Sequence, residues 1–216
     1  MKAFGLSPVT LFLSLAGGAL HADDVVGVLR VPIASNGVTA VAMPFEPFGD
    51  GFPDSFLAGP FIGGDGGCAD SLHHLPAGSG DLFSYLFSPE GWTAQDGTNG
   101  AAARPGDALL FSSGAGGGLE AFVYGRVPKS PSLASVLPPG ENLLSYGFPR
   151  MAFPSETLPQ GISPPAGWDG EPILDDLIPW WRAFVVTNIT DEPVVWTRAR
   201  PYPRPRSGFP LKVRMT

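Results

Sequence analysis

One cysteine, Cys68, is all the sequence holds, so no disulfide can form within the chain. The fold has to be held by burial and not by covalent cross-links. Charged residues are scarce at 15%, which leaves a surface rich in Ser, Thr, Gly and Pro. Histidine is nearly missing: beyond His21 only His73 and His74 occur, so general bases and imidazole ligands are few. No Gly-x-Ser-x-Gly elbow, phosphate loop, dinucleotide fingerprint, Cys-x-x-Cys or His-Glu-x-x-His spacing is present. The reaction classes those signatures carry lose their usual marker. Long helical windows are lacking as well, because Pro or Gly falls in nearly every one and breaks or weakens a helix interior. The best short helical candidates are 71–75 and 174–178, each about one turn. After the first segment no apolar run approaches the roughly 20 residues a membrane-spanning helix needs.

What is present begins with that first segment. Lys2 is the only charge before His21, and Leu11, Phe12, Leu13 and Leu15 centre a short apolar stretch that ends at Ala22 before Asp23-Asp24. A basic start, a short apolar run and a small residue ahead of acids form a secretory signal peptide. Residues 1–22 are therefore expected to be removed, with cleavage after Ala22. The protein is expected to be secreted, whether extracellular, periplasmic or on the cell surface.

Glycine (29) and proline (25) together make up a quarter of the chain. Such a share without a period accompanies disorder in many chains. Here hydrophobic residues reach 44% and aromatic ones 11%, which disordered chains do not show. The combination reads as short strands joined by tight turns. Strand candidates are 25–31, 38–43, 82–87, 108–111, 119–127, 142–146, 182–187 and 193–197. Most are rich in Val, Leu, Phe and Tyr and bounded by Gly, Pro, Asn or Asp. The expected class is all-β, a sandwich or barrel-like domain with little helix.

An internal repeat organises these strands. Arg30-Val31-Pro32 recurs as Arg126-Val127-Pro128. The stretch from Gly37 to Phe45 aligns with that from Gly140 to Phe148. Asp54-Ser55-Phe56-Leu57-Ala58-Gly59 answers Glu156-Thr157-Leu158-Pro159-Gln160-Gly161. The stretch from Arg104 to Phe111 answers that from Pro179 to Val186. Two divergent units are expected, at 23–117 and 118–203, followed by a basic tail at 204–216. They pack either as one pseudo-symmetric domain or as two small ones. Pro105-Gly106 and Pro139-Gly140 suit the central positions of type II turns, each launching a strand.

These motifs resemble a family of uncharacterised secreted bacterial β-rich proteins. Its units carry a Gly-x-Asn-Leu-hydrophobic-Ser-x-Pro strand and a later Pro-Gly-x-Gly-aromatic-hydrophobic strand, and the ends are often Trp-Thr-x-x-Arg-Pro-Tyr. The carriers here are Gly140-Glu141-Asn142-Leu143-Leu144-Ser145, Pro105-Gly106-Asp107-Ala108-Leu109, and Trp196-Thr197-Arg198-Ala199-Arg200-Pro201-Tyr202. The first unit departs with Thr39-Ala40 in place of Asn-Leu, and the second lacks Pro-Gly before its late strand. The resemblance implies a fold and a secreted life, and no reaction.

Charge is unevenly spread. All 20 acids fall between Asp23 and Glu192, alongside 6 bases, while Arg198, Arg200, Arg204, Arg206, Lys212 and Arg214 follow with no acid. Such a basic stretch folds back on the acidic body, is solvated, or touches an anionic surface polymer or lipid. An acidic body with one basic stretch is not the footprint of nucleic-acid binding.

Candidate chemistry is sparse. Cys68, Asp70, His73 and His74 are ligand types for zinc or copper, but adjacent histidines do not converge on one ion, and a polar loop is the expected reading. Asp65 and Asp96 sit in Gly-rich segments without calcium-loop spacing and read as turns. No metal and no cofactor is therefore expected. Asp175-Asp176 offers paired acids for glycoside hydrolysis only if a cleft separates them correctly. Asn188-Ile189-Thr190 fits a glycosylation sequon. Of the five tryptophans, Trp168, Trp180, Trp181 and Trp196 are the candidate ligand-binding set, since exposed rings stack on sugar faces; burial in the core is the competing reading. The leading expectation is a non-catalytic structural or interaction protein meeting a cell-surface polysaccharide or protein. A carbohydrate-binding module using those tryptophans and an atypical hydrolase stand as alternatives.

Overall fold

The computed structural model describes residues 25–35, 37–64, 69–95, 100–114, 118–152, 158–168, 173, 178 and 180–202. Residues 1–22, expected to be a signal peptide, together with Cys68, Asp65, Asp96, Asp175-Asp176 and residues 204–216, lie outside the described residues. The fold is all-β; the only helical element among the described residues is a single 3-10 turn at Pro53–Ser55.

Strands arise where the sequence alternates or runs apolar between turn residues. The first is β1 (Val26–Ile33), whose Leu29, Val31 and Ile33 point inward. It is followed by β2 (Val38–Ala42), β3 (Leu57–Ala58), β4 (Ser71–Leu75), β5 (Phe83–Ser88), β6 (Gly91–Ala94), β7 (Ala108–Ser112) and β8 (Leu119–Arg126). A second group contains β9 (Ser132–Leu137), β10 (Gly140–Leu144), β11 (Ala166–Gly167), β12 (Phe184–Asn188) and β13 (Val194–Ala199). The run Ala108 to Phe111 is buried throughout, as a strand covered on both faces should be.

The pairings between these strands are antiparallel. The sheets have the orders β1-β8-β3, β2-β7-β4-β5-β6, β13-β9 and β10-β12-β11. In the first group β1 pairs with β8 and β2 with β7. In the second, β9 pairs with β13 and β10 with β12, the same nesting of strands. Each group encloses its own apolar cluster. One is built on Val41, Met43, Phe45, Phe56, Leu72 and Val123, the other on Leu137, Leu144, Phe148, Phe184, Val186 and Trp196. The sequence division at 117 assigns β8 to the second unit, yet β8 pairs with β1 and β3 and gives Ala121 and Val123 to the first cluster.

One local expectation is overturned. Residues 71–75, read as a helical turn, form strand β4 between β7 and β5. Leu72 and His74 face inward and Ser71, His73 and Leu75 are half-buried, a period of two and not of a helix. Residues 174–177 lie outside the described residues; Ile178 forms an isolated bridge with Ala152.

Gly106 and Gly140 both take positive φ, 106° and 94°, and at Pro105-Gly106 the turn is closed by the Asp107 N–H donating to the Arg104 carbonyl at 3.1 Å. Gly106 also sits on the seam between the groups. Its N–H donates to the Met43 carbonyl at 3.0 Å and its carbonyl accepts from the Ser145 N–H at 2.8 Å.

Candidate functional site

The tryptophans separate by burial. Trp196 on β13 is 0% exposed, against Tyr146 and Phe184, so it belongs to the second core and cannot meet a ligand, contrary to the expectation. Trp180 is half-buried and packs on the first cluster. Trp168 and Trp181 are 45% and 42% exposed. They line one groove of about 380 Å³.

The groove exists because β1 and β2, though consecutive, do not pair. Each gives one edge to another strand, β1 to β8 and β2 to β7, and turns the other edge to the gap. Leu29 to Pro32 form one wall and Val38 to Ala40 the other. Trp168 is delivered by β11, whose Gly167 pairs with Phe184. Trp181 is held against β2 by the Ala42 N–H, which donates to its carbonyl at 3.1 Å. Trp180 and Trp181 are not in a strand but on the bend before β12, with rings 6.1 Å apart and at 89°. Arg30 and Arg182 stand at the groove, and Arg30 is ion-paired with Glu120. Trp168 also borders a second groove of about 260 Å³, where Asp81, Glu141, Leu143 and Val185 line the wall.

The histidines do not assemble a triad. His73 Nδ1 lies 2.8 Å from Ser84 Oγ, and His74 Nε2 lies 2.8 Å from Asp107 Oδ2. Adjacent residues of a strand face opposite sides, so a Ser–His pair and a His–Asp pair exist on different rings. Asp107 is 4% exposed and also accepts from the N–H groups of Ala77, at 2.9 Å, and Arg104, at 2.8 Å. It ties three segments together. Asp70 does the same for two loops, accepting from Ile62 N–H at 2.7 Å and Gly114 N–H at 3.0 Å. Among the described residues no group of three or more His, Cys, Asp or Glu side chains could hold a metal.

Arg198, counted from the sequence with the basic stretch, is 1% exposed at the seam. Its guanidinium donates to the Ser145 carbonyl at 2.7 Å and to the Ser135 hydroxyl, and lies 4.6 Å from the Trp196 ring centroid. Burial pushes its pKa down to about 10, with Tyr146 and Asp107 acting in the opposite direction. The side chain therefore stays charged at neutral pH inside the protein. A Cβ at Gly106 would lie 3.2 Å from its Nη2, so glycine there leaves room for the guanidinium. The only signal in the sequence was the Trp-Thr-Arg alternation, which places Arg198 on the same strand face as Trp196.

No family model, curated protein or solved structure matches the chain. Among the described residues no helix is long and apolar enough to cross a membrane.

Proposed function

We propose that this is an exported, non-catalytic interaction protein whose binding surface is the groove between β1 and β2, and that its ligand is a polysaccharide. The observation that carries the reading is the placement of Trp168 and Trp181, both over two-fifths exposed, on one groove. Large apolar rings left partly in water cost burial that the core could have used, and ring faces suit the C–H faces of sugars. Trp168 stands between two grooves, which suits a chain ligand crossing it over a single sugar. The secretory start of the sequence supports a compartment where polysaccharide is met.

The test is titration of the full chain against a panel of soluble polysaccharides, read by tryptophan fluorescence and calorimetry. Replacing Trp181 by Ala should weaken binding about tenfold, the equivalent of ~1.4 kcal/mol. Trp168→Ala should weaken it more, since that ring borders both grooves. Binding by neither protein nor variants, or binding that ignores both substitutions, overturns the proposal.

A further inference from the structure

A cavity of about 400 Å³ opens where the two strand groups meet. It shares no lining residue with the groove of Trp181. Three stretches of chain form its wall: the turn after β4 with the start of β5, the segment ahead of β7, and Ala134-Ser135 of β9. Its volume lies at the small end of the ~300–1,000 Å³ range of ligand cavities.

The wall is tied in place by its own buried groups. Asp107, 4% exposed, accepts from the N–H of Ala77 in the turn and from the N–H of Arg104 in the segment ahead of β7. The turn also lies so close to β9 that a Cβ at Gly78 would strike the Val136 carbonyl. Ser135 is held by Arg198, whose guanidinium donates to its hydroxyl. A cavity with walls already ordered loses little entropy when a ligand enters.

These buried groups keep hydrogen-bonding capacity. A guanidinium only donates, so the Ser135 hydroxyl receives from Arg198 and retains its own proton to give. Ser135 is 6% exposed, on the cavity wall. Asp107 Oδ2 is met by His74 Nε2 and the Arg104 N–H, while Oδ1 is met by the Ala77 N–H alone and can accept once more. The rim adds two exposed charges, Arg104 and Asp81. Among the described residues neither side chain forms an ion pair or a hydrogen bond, and the two do not pair with each other. Half-buried Phe83, with Ala77, Ala102 and Ala134, supplies the apolar part of the lining.

A ligand that covers both charges strips water from them, and that cost is offset only where it brings a counter-charge to each. A neutral molecule leaves both without one. A simple anion faces Asp81 with the wrong sign, and a simple cation does so toward Arg104. We propose that this cavity binds a small zwitterion of the α-amino-acid or dipeptide class with an apolar side chain. Its carboxylate meets Arg104, its ammonium meets Asp81 and its side chain rests on Phe83. The Ser135 proton and the remaining Asp107 lone pair serve the ligand's carbonyl and N–H groups. This site is independent of the polysaccharide groove, and either reading can fail alone.

Calorimetric titration of the full chain with L-leucine and with L-leucyl-L-leucine tests it, with glucose as the neutral probe. At least one of the two zwitterions should bind. Its N-acetylated form, which lacks the ammonium, and its amide, which lacks the carboxylate, should each bind about tenfold or more weakly. Arg104→Gln should remove the loss caused by amidation, and Asp81→Asn the loss caused by acetylation. Both side chains are exposed, so neither substitution disturbs the fold. Binding of neither zwitterion, capped forms that bind as well as the parent, or variants that keep the full discrimination each overturn the proposal. Binding of glucose and of neither zwitterion overturns it in favour of a neutral sugar.

Discussion

Arg198 is a cation enclosed by neutral partners: a carbonyl, a hydroxyl and an indole face. Burying such a charge is costly unless its N–H groups are satisfied. What the side chain returns is connection, since Ser145, Ser135 and Gly106 belong to three different segments and Asp107 lies near enough to offset its charge. Arg198→Ala leaves the Ser135 hydroxyl and Ser145 carbonyl without their donor and opens a cavity, so unfolding free energy should fall by about 3 kcal/mol. Arg198→Met keeps most of the volume and should lose less. Combining it with Ser135→Ala should recover part of that loss, because an unpaired hydroxyl is removed along with the charge. Urea titration of the three variants checks the order; a double variant less stable than Arg198→Met sinks the argument.

At the scale of elements, the strands legible in the sequence were those with apolar inner positions. Val41 in β2, Leu109 in β7, Val123 in β8 and Val186 in β12 sit where the alternation or apolar runs placed them. β4 and β9 were not legible as strands, and for one shared reason. Their inner positions include His74 and Ser135, polar residues that break the pattern, and their partners lie far along the chain: Asp107 for His74 and Arg198 for Ser135. No local window contains both halves of such a pair. The groove was legible only as a set of tryptophans. Enclosure of Trp196 by Tyr146 and Phe184, and exposure of Trp168 and Trp181, depend on which strands become neighbours. The alternation in β4 makes a direct prediction. Leu72 is 0% exposed and His73, next to it, is half-buried on the other face. Leu72→Ala should cost about 2–5 kcal/mol and His73→Ala about 0.5 kcal/mol in the same thermal or urea assay. Comparable losses from both would mean that 71–75 is not a strand with one inner face.

At the scale of the whole molecule, the two strand groups are joined through the link between β8 and β9, and Tyr202 bears on that link. Its hydroxyl donates to the Pro128 carbonyl at 3.0 Å, its ring meets Phe148 edge-on at 5.9 Å, and the Arg200 guanidinium lies 5.6 Å from the ring centroid. Burial raises its pKa from 10.0 to about 12, against the lowering influence of Arg200 and with a smaller contribution from Glu46. Between those values the unfolded chain has released this proton while the folded chain still holds it. The unfolded state then binds fewer protons, so stability must fall as pH rises through that interval. Tyr85 and Tyr124, also raised by burial, act with the same sign. Arg198 acts oppositely: its folded pKa of about 10 lies below its ordinary value, so above pH 10 the unfolded chain holds the extra proton and stability is regained as pH rises. The contribution of Tyr202 is isolated by comparison with Tyr202→Phe, which retains the ring contacts but has no proton to lose. The stability of the wild-type protein relative to Tyr202→Phe should be greatest below pH 10 and should decline toward pH 12. Thermal unfolding of both proteins across that range measures it. A difference that stays constant with pH would show that the Tyr202 hydroxyl is not held against the 126–132 link in its protonated form.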